Sequence, residues 1–173
     1  MTRSVFLALL LTVQPLIAVS HTPSNQSAPA FALKDLQGRT VRLSDYKGKV
    51  LLINFWATWC APCLVEMPDL VKLQKEYESQ GLQIVGITCP PMSRKDMKGV
   101  ARKLKINYPI LFGTDEVSDA YYATSVLPTT IVVDRNGKIR GRILGILVPE
   151  EFERSVKPLL NSTASDSERV GLR

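Results

Sequence analysis

Cys60 and Cys63 stand in the pentapeptide Trp59-Cys60-Ala61-Pro62-Cys63, and sulfur at this spacing can do chemistry. The pair follows the apolar run Val50-Leu51-Leu52-Ile53-Asn54-Phe55-Trp56 and opens a stretch with a helical pattern. Two cysteines at a strand-to-helix turn can close a small, reducible disulfide. Unpaired N–H groups and the dipole at a helix N-terminus favour negative charge, and so the thiolate of the first cysteine. Such a dithiol gives or takes two electrons by exchange with another disulfide. Two other chemistries use the same residues. A structural zinc site needs four ligands, and beyond this pair the chain offers Cys89 and His21 as its remaining cysteine and histidine. A purely structural disulfide is the other, since disulfides persist in secreted chains.

The elements that would position the pair follow from pattern. Phe31-Ala32-Leu33 and Thr40-Val41-Arg42-Leu43 flank the turn signal Gln37-Gly38 and predict an N-terminal β-hairpin. Val50–Phe55 is a continuous apolar run suited to a buried central strand. A helix runs from the cysteines to about Gln80, with Leu70, Val71, Leu73 and Tyr77 as apolar positions and a kink expected at Pro68. Leu82–Ile87 predicts a second central strand, and Ser93 with Asp96 caps a helix to Lys105. A short extended piece at Pro109–Phe112 and a short helix at Val117–Tyr122 follow. Thr129–Val133 and Lys138–Leu144 are strands joined by a turn, and Glu150–Leu160 is a final amphipathic helix. Strands alternating with helices make this an α/β chain with helices on both faces of a sheet.

A chain of 173 residues, 45% hydrophobic and 22% charged, is long enough for one domain with its own core and is not disordered in bulk. The net charge is +6. Lys95, Lys98, Arg102, Lys103 and Lys105 crowd one stretch without interleaved aromatic residues, which reads as a solvated helix face rather than a nucleic-acid site. An acidic protein or an anionic membrane surface stays open as a partner for it.

Residues 1–20 form a targeting segment, with Arg3, an apolar stretch from Val5, and Ala18-Val19-Ser20 as a small-x-small cleavage signal. The alternative is an uncleaved anchor, although Gln14 and Pro15 interrupt the run. Residues 21–27 read as a linker, 28–160 as the domain and 161–173 as a flexible tail. The protein is therefore expected to be exported, periplasmic or extracytoplasmic, and tethered to the membrane if the segment is retained. A dithiol that reduces disulfides in an oxidising space must be fed electrons by a partner.

Asn54-Phe55-Trp56-Ala57-Thr58-Trp59-Cys60-Ala61-Pro62-Cys63, with Glu66 and Pro68 after it, resembles the exported TlpA/ResA-like thiol–disulfide oxidoreductases of the thioredoxin superfamily. Pro29-Ala30-Phe31 with the hairpin is similar to the N-terminal addition of that group. Leu127-Pro128-Thr129-Thr130 resembles its cis-proline loop, and Asp134–Ile139 the turn after it. The resemblance covers about residues 28–160. It implies a thioredoxin-like fold: a central mixed sheet flanked by helices, with an N-terminal β-hairpin addition.

The resemblance also implies roles. Cys60 would be the exposed nucleophile and Cys63 the resolving thiol of a redox-active disulfide. Glu66 would lie close to the cysteines and help take the proton from Cys63, although alone it reads equally as a solvated helix glutamate. Trp59, Ala61, Pro62, Leu127 and Pro128 would meet the substrate, with Pro128 cis, although Trp56 and Trp59 alone read equally as core packing. Ala61-Pro62 places no cation beside Cys60, which favours a reductant. Asn54 stands where cytosolic thioredoxins carry an aspartate, and as a buried amide it needs a hydrogen-bond partner. No cofactor and no metal are expected. The implied partners are a disulfide-containing envelope protein, apocytochrome c being one client class, and a membrane thiol protein as electron donor. Cys89 reads as a buried, inert thiol.

Three other activities share parts of this pattern. A disulfide oxidant would share every residue and differ in potential. A peroxidase would need its threonine further from the cysteine than Thr58 is from Cys60. A copper-delivery module would need a longer cysteine spacing and a later histidine.

Overall fold

The computed structural model describes residues 26–89 and 93–162. The targeting segment, most of the linker and most of the tail lie outside these described residues.

The run predicted as a central strand is β3, Val50–Trp56, and each of its residues is buried. Its side chains alternate between two cores, as a strand requires. Val50, Leu52 and Trp56 join Met67, Leu70, Met97 and Phe152 on one side. Leu51, Ile53 and Phe55 join Phe31, Leu33, Val85 and Ile131 on the other. Asn54 has the parity of the first group, so the polar side chain of this strand points toward the larger helical layer.

β3 pairs in parallel with β4, Leu82–Thr88, with Val50 opposite Leu82 and Trp56 opposite Thr88. Parallel neighbours need a crossover, and α1, Ala61–Tyr77, supplies it. A second crossover through α2, Arg94–Lys103, leads to β5, Ile110–Phe112, parallel to β4. The hairpin of β1, Ala32–Asp35, and β2, Thr40–Arg42, is added antiparallel to β5. After the short α3, Asp115–Ala120, β6, Thr129–Val133, returns antiparallel to β3, and β7, Ile139–Leu144, pairs with β6. The result is a seven-stranded mixed sheet in the order β2-β1-β5-β4-β3-β6-β7.

Several boundaries differ from the expectations. α1 ends at Tyr77, and a tighter turn over Glu78–Gln80 closes on Gly81 in the left-handed region at φ 95°. α1 runs unbroken through Pro68, which stands on its exposed side. The short helix begins two positions earlier than expected, because Thr114 Oγ1 accepts from the Val117 N–H at 3.4 Å and caps it. Tyr122 falls outside it, at φ 51°. The final helix is two: α4, Pro149–Ser155, and α5, Lys157–Asn161. Pro158 has no N–H to give the Arg154 carbonyl and its ring crowds the preceding turn, so the ladder breaks at Val156. At the other end, Gln26 and Ser27 already touch the sheet: the Gln26 carbonyl accepts from Ile139 at 2.9 Å, and Ser27 bridges Lys138.

One arginine ties together the end of the domain where β3 and β4 begin. Arg135 donates to the carbonyls of Gly48 (2.9 Å), Gln80 (3.0 Å), Leu160 (3.0 Å) and Ser162 (3.3 Å). A planar fork with five donors suits this task better than an ammonium would. Gly81 makes room for it: a Cβ there would lie 2.6 Å from Arg135 Nη1. Gly81→Ala is therefore expected to lower stability by about 2 kcal/mol, combining left-handed backbone strain with displacement of the fork. Urea unfolding checks this; a midpoint equal to wild type would mean that the fork is not stabilising.

Candidate active site

The turn after β3 delivers the cysteines. The Cys60 N–H bonds to the Ala57 carbonyl at 3.2 Å, and Cys60 then caps α1, its sulfur accepting from the Cys63 N–H at 3.3 Å. Pro62, without an N–H, sits in the first turn where none is needed. Cys60 and Cys63 form a disulfide, with Cα atoms 5.3 Å apart. The expectation of an exposed Cys60 needs correction. Cys60 retains only 6% exposure, and Cys63 none. As the N-cap of α1, Cys60 is largely enclosed, and it lines a groove at the surface.

That groove has a volume of about 340 Å³ and is lined by Trp59, Cys60, Ala61 and Pro62 on one bank and Thr124–Leu127 on the other. Trp59 is 67% exposed, so it is surface rather than core. The Leu127–Pro128 bond is cis. Leu127 lines the groove, while Pro128 stands behind it with its carbonyl accepting from Gly145 N–H at 2.8 Å. Thr129 Oγ1 donates to the Val126 carbonyl at 2.7 Å and holds the second bank in place. Thr124, Ser125 and Val126 were not singled out from sequence, since nothing in their types marks them.

Below the disulfide lies a buried polar cluster. Glu66 is on the inward stripe of α1 with Cys63, Met67 and Leu70, one turn from Cys63, a spacing that brings Cβ atoms to about 5–6 Å. It is only 1% exposed. Its Oε1 accepts from Asn54 Nδ2 at 2.7 Å, and its Oε2 from the Leu147 N–H at 3.1 Å. Asn54 Nδ2 also reaches Thr130 Oγ1 at 3.0 Å. Burial pushes the Glu66 pKa above the ordinary glutamate value; the two hydrogen bonds pull it down, and the Asp69 charge adds to the rise. The reading of Glu66 as a solvated helix residue does not fit this burial. Thr130 belongs to the Leu127–Thr130 motif, but its bond to Asn54 and that of the Leu147 N–H to Glu66 were missed from sequence, for the partners are distant in the chain.

Trp56 and Tyr108 roof the cluster on the β4 side. Tyr108 donates to Met67 Sδ at 2.9 Å. A Cβ at Gly86 would stand 2.9 Å from Trp56 Nε1 and 3.4 Å from Tyr108 Cε2, so the glycine admits both rings. Cys89 follows β4, half-buried, its N–H bonded to the Trp56 carbonyl at 2.9 Å. Burial raises its thiol pKa, which disfavours the reactive thiolate. Lys95, Lys98, Arg102, Lys103 and Lys105 are all exposed.

A sheet of this topology with a disulfide at the first turn of α1, facing a cis-proline loop, defines a thioredoxin-fold thiol–disulfide oxidoreductase. Comparison with known proteins agrees. Residues 24–142 match the model of the AhpC/TSA family. The chain is 36% identical to the thiol-disulfide oxidoreductase ResA of Geobacillus thermodenitrificans, over 85% of this chain and 83% of that protein. It is 38% identical to ResA of Geobacillus kaustophilus at the same coverage. Among solved structures, a thiol:disulfide interchange protein of the thioredoxin family from Chlorobium tepidum superposes with a TM-score of 0.70 at 33% identity, over 80% of this chain and 97% of that one. The chain belongs to the AhpC/TSA family and, within the thioredoxin superfamily, to the ResA-like thiol–disulfide oxidoreductases.

The burial of Glu66 has a consequence for stability. A carboxyl whose folded pKa lies above its unfolded value binds its proton more tightly when folded, so stability falls as pH rises from about 4.5 through the raised value and then levels off. Glu66→Gln removes this loss. Its stability relative to wild type is expected to be greater at about pH 8 than at about pH 4. Denaturant melts at both values test this; equal differences would place the Glu66 titration at its ordinary position.

Proposed function

We propose that this protein is an exported reductase of selected envelope-protein disulfides, of which apocytochrome c is one candidate client. The observation that carries the reading is the Cys60–Cys63 pair at the start of α1, open to a narrow groove and underlain by a buried carboxylate. The targeting segment at residues 1–20 supports export. The small, uncharged Ala61-Pro62 supports the reducing direction, because no cation beside Cys60 stabilises its thiolate and makes the pair strongly oxidising.

In the proposed cycle, the Cys60 thiolate attacks one sulfur of the client disulfide. A mixed disulfide forms, the client S–S bond breaks, and the first client sulfur leaves as a thiolate. Cys63 then gives its proton to Glu66 and attacks Cys60 Sγ. The second client sulfur leaves, and two electrons have passed to the client. The pair is left as the disulfide seen here. A membrane dithiol protein would reduce it again.

An extended client segment would lie in the groove between Trp59 and Thr124–Leu127, where backbone and apolar contact hold it. Cys60→Ser is expected to abolish exchange, and Cys63→Ser to accumulate the mixed disulfide in cells. Recovery of no such species would count against a protein client. Equilibration with defined dithiol buffers fixes the direction. A potential near the thioredoxin value of about −270 mV supports a reductant, and one near about −120 mV makes the protein an oxidant.

A further inference from the structure

We propose that Asn54 is a positioning residue whose side-chain amide turns over when Glu66 takes up its proton, and that this proton resides on Glu66 Oε1. The inference rests on the function proposed above only for its role in catalysis; the geometry stands without it.

The two oxygens of Glu66 are held unequally. Oε2 accepts from a backbone N–H, that of Leu147, at 3.1 Å. That donor cannot become an acceptor, so a neutral Glu66 keeps Oε2 as its carbonyl oxygen and carries the proton on Oε1. Oε1 faces Asn54 Nδ2 at 2.7 Å. An N–H donor suits the ionised carboxylate and opposes a protonated one, since two hydrogens would then meet.

Rotation of the amide by half a turn removes the conflict. Oδ1 then occupies the place of Nδ2 and accepts from Glu66 Oε1–H. It also stands where Nδ2 now meets Thr130 Oγ1, at 3.0 Å. A hydroxyl is both acceptor and donor, so Thr130 accepts from Nδ2 in one state and donates to Oδ1 in the other. Oδ1 has no hydrogen-bond partner among the described residues, so the turn breaks no bond on that side. An aspartate at this position could not answer in the same way, because an ionised carboxylate only accepts.

The groups that act on this cluster are few. Cys63 and Asp69 lie on α1 with Glu66, and Asp69 opposes its ionisation. Tyr108 approaches from the strand β5 side and itself feels the Glu66 charge. Asn54 comes from β3, Thr130 from β6 and Leu147 from the loop after β7. In the resolving step the Cys63 S–H proton passes to Oε1 as Cys63 Sγ bonds to Cys60 Sγ and the bond from Cys60 to the client sulfur breaks. The amide turn then holds that proton until Glu66 releases it to solvent.

The test is a side-chain NMR titration of the oxidised, isotope-labelled protein. The Glu66 carboxyl carbon and the Asn54 side-chain amide nitrogen are expected to move with one common midpoint. Glu66→Gln provides the second arm. Its amide oxygen can accept from Leu147 and its NH2 can donate to Asn54, so it imitates the neutral glutamate. The Asn54 signals in that variant are expected to be independent of pH and to match those of the wild type at the acid end. An Asn54 amide that stays still while Glu66 titrates overturns the proposal, as does an Asn54 signal that still titrates in Glu66→Gln. A cysteine pair that fails to cycle sinks the reductase reading alone, because this titration is made on the disulfide form.

Discussion

β3 is buried on both faces and bonded on both edges, to β4 on one side and β6 on the other. That constraint fixes where everything else can go. Residues of one parity pack toward α1, and Asn54 is the polar exception among them, its Nδ2 bonded to Glu66 and Thr130. The chain leaves β3 at Trp56 and, after the turn of residues 57–60, enters a helix that Cys60 caps. Cys60 is therefore placed by a central strand of the sheet. Its partner Cys63 is drawn inward because α1 has to lay its apolar stripe back across the same strand.

The same packing makes the chemistry of Glu66 a property of the whole fold. A glutamate on a helix one turn from a thiol would ordinarily be wet. Here α1 is pressed against β3, and the carboxyl is left with two donors and a neighbouring aspartate. Burial raises its affinity for a proton above that of a surface carboxylate, and the two donors oppose that rise.

Much of this was legible in the sequence because the signals were local. The run Val50–Trp56, the cysteine turn, the Gln37-Gly38 hairpin and the Leu-Pro-Thr-Thr context each depend on neighbouring residues. The buried cluster was not legible in the same way. Glu66 meets Asn54 across 12 positions and Leu147 across 81, and Asn54 meets Thr130 across 76. Only the fold brings these together, and a backbone N–H has no sequence signature. The broken final helix is a different kind of miss. Pro158 was in plain view, but the amphipathic pattern of Glu150–Leu160 continues across it, and periodicity alone does not register a missing donor.

The outermost strands carry a further consequence. β2 is only three residues long and ends in Arg42, and β7, at the opposite border of the sheet, carries Arg140 and Arg142 beside Lys138. Short length and like positive charge are the means by which sheet borders avoid recruiting another chain. The sheet is thereby guarded against growing by addition of a further strand at its borders.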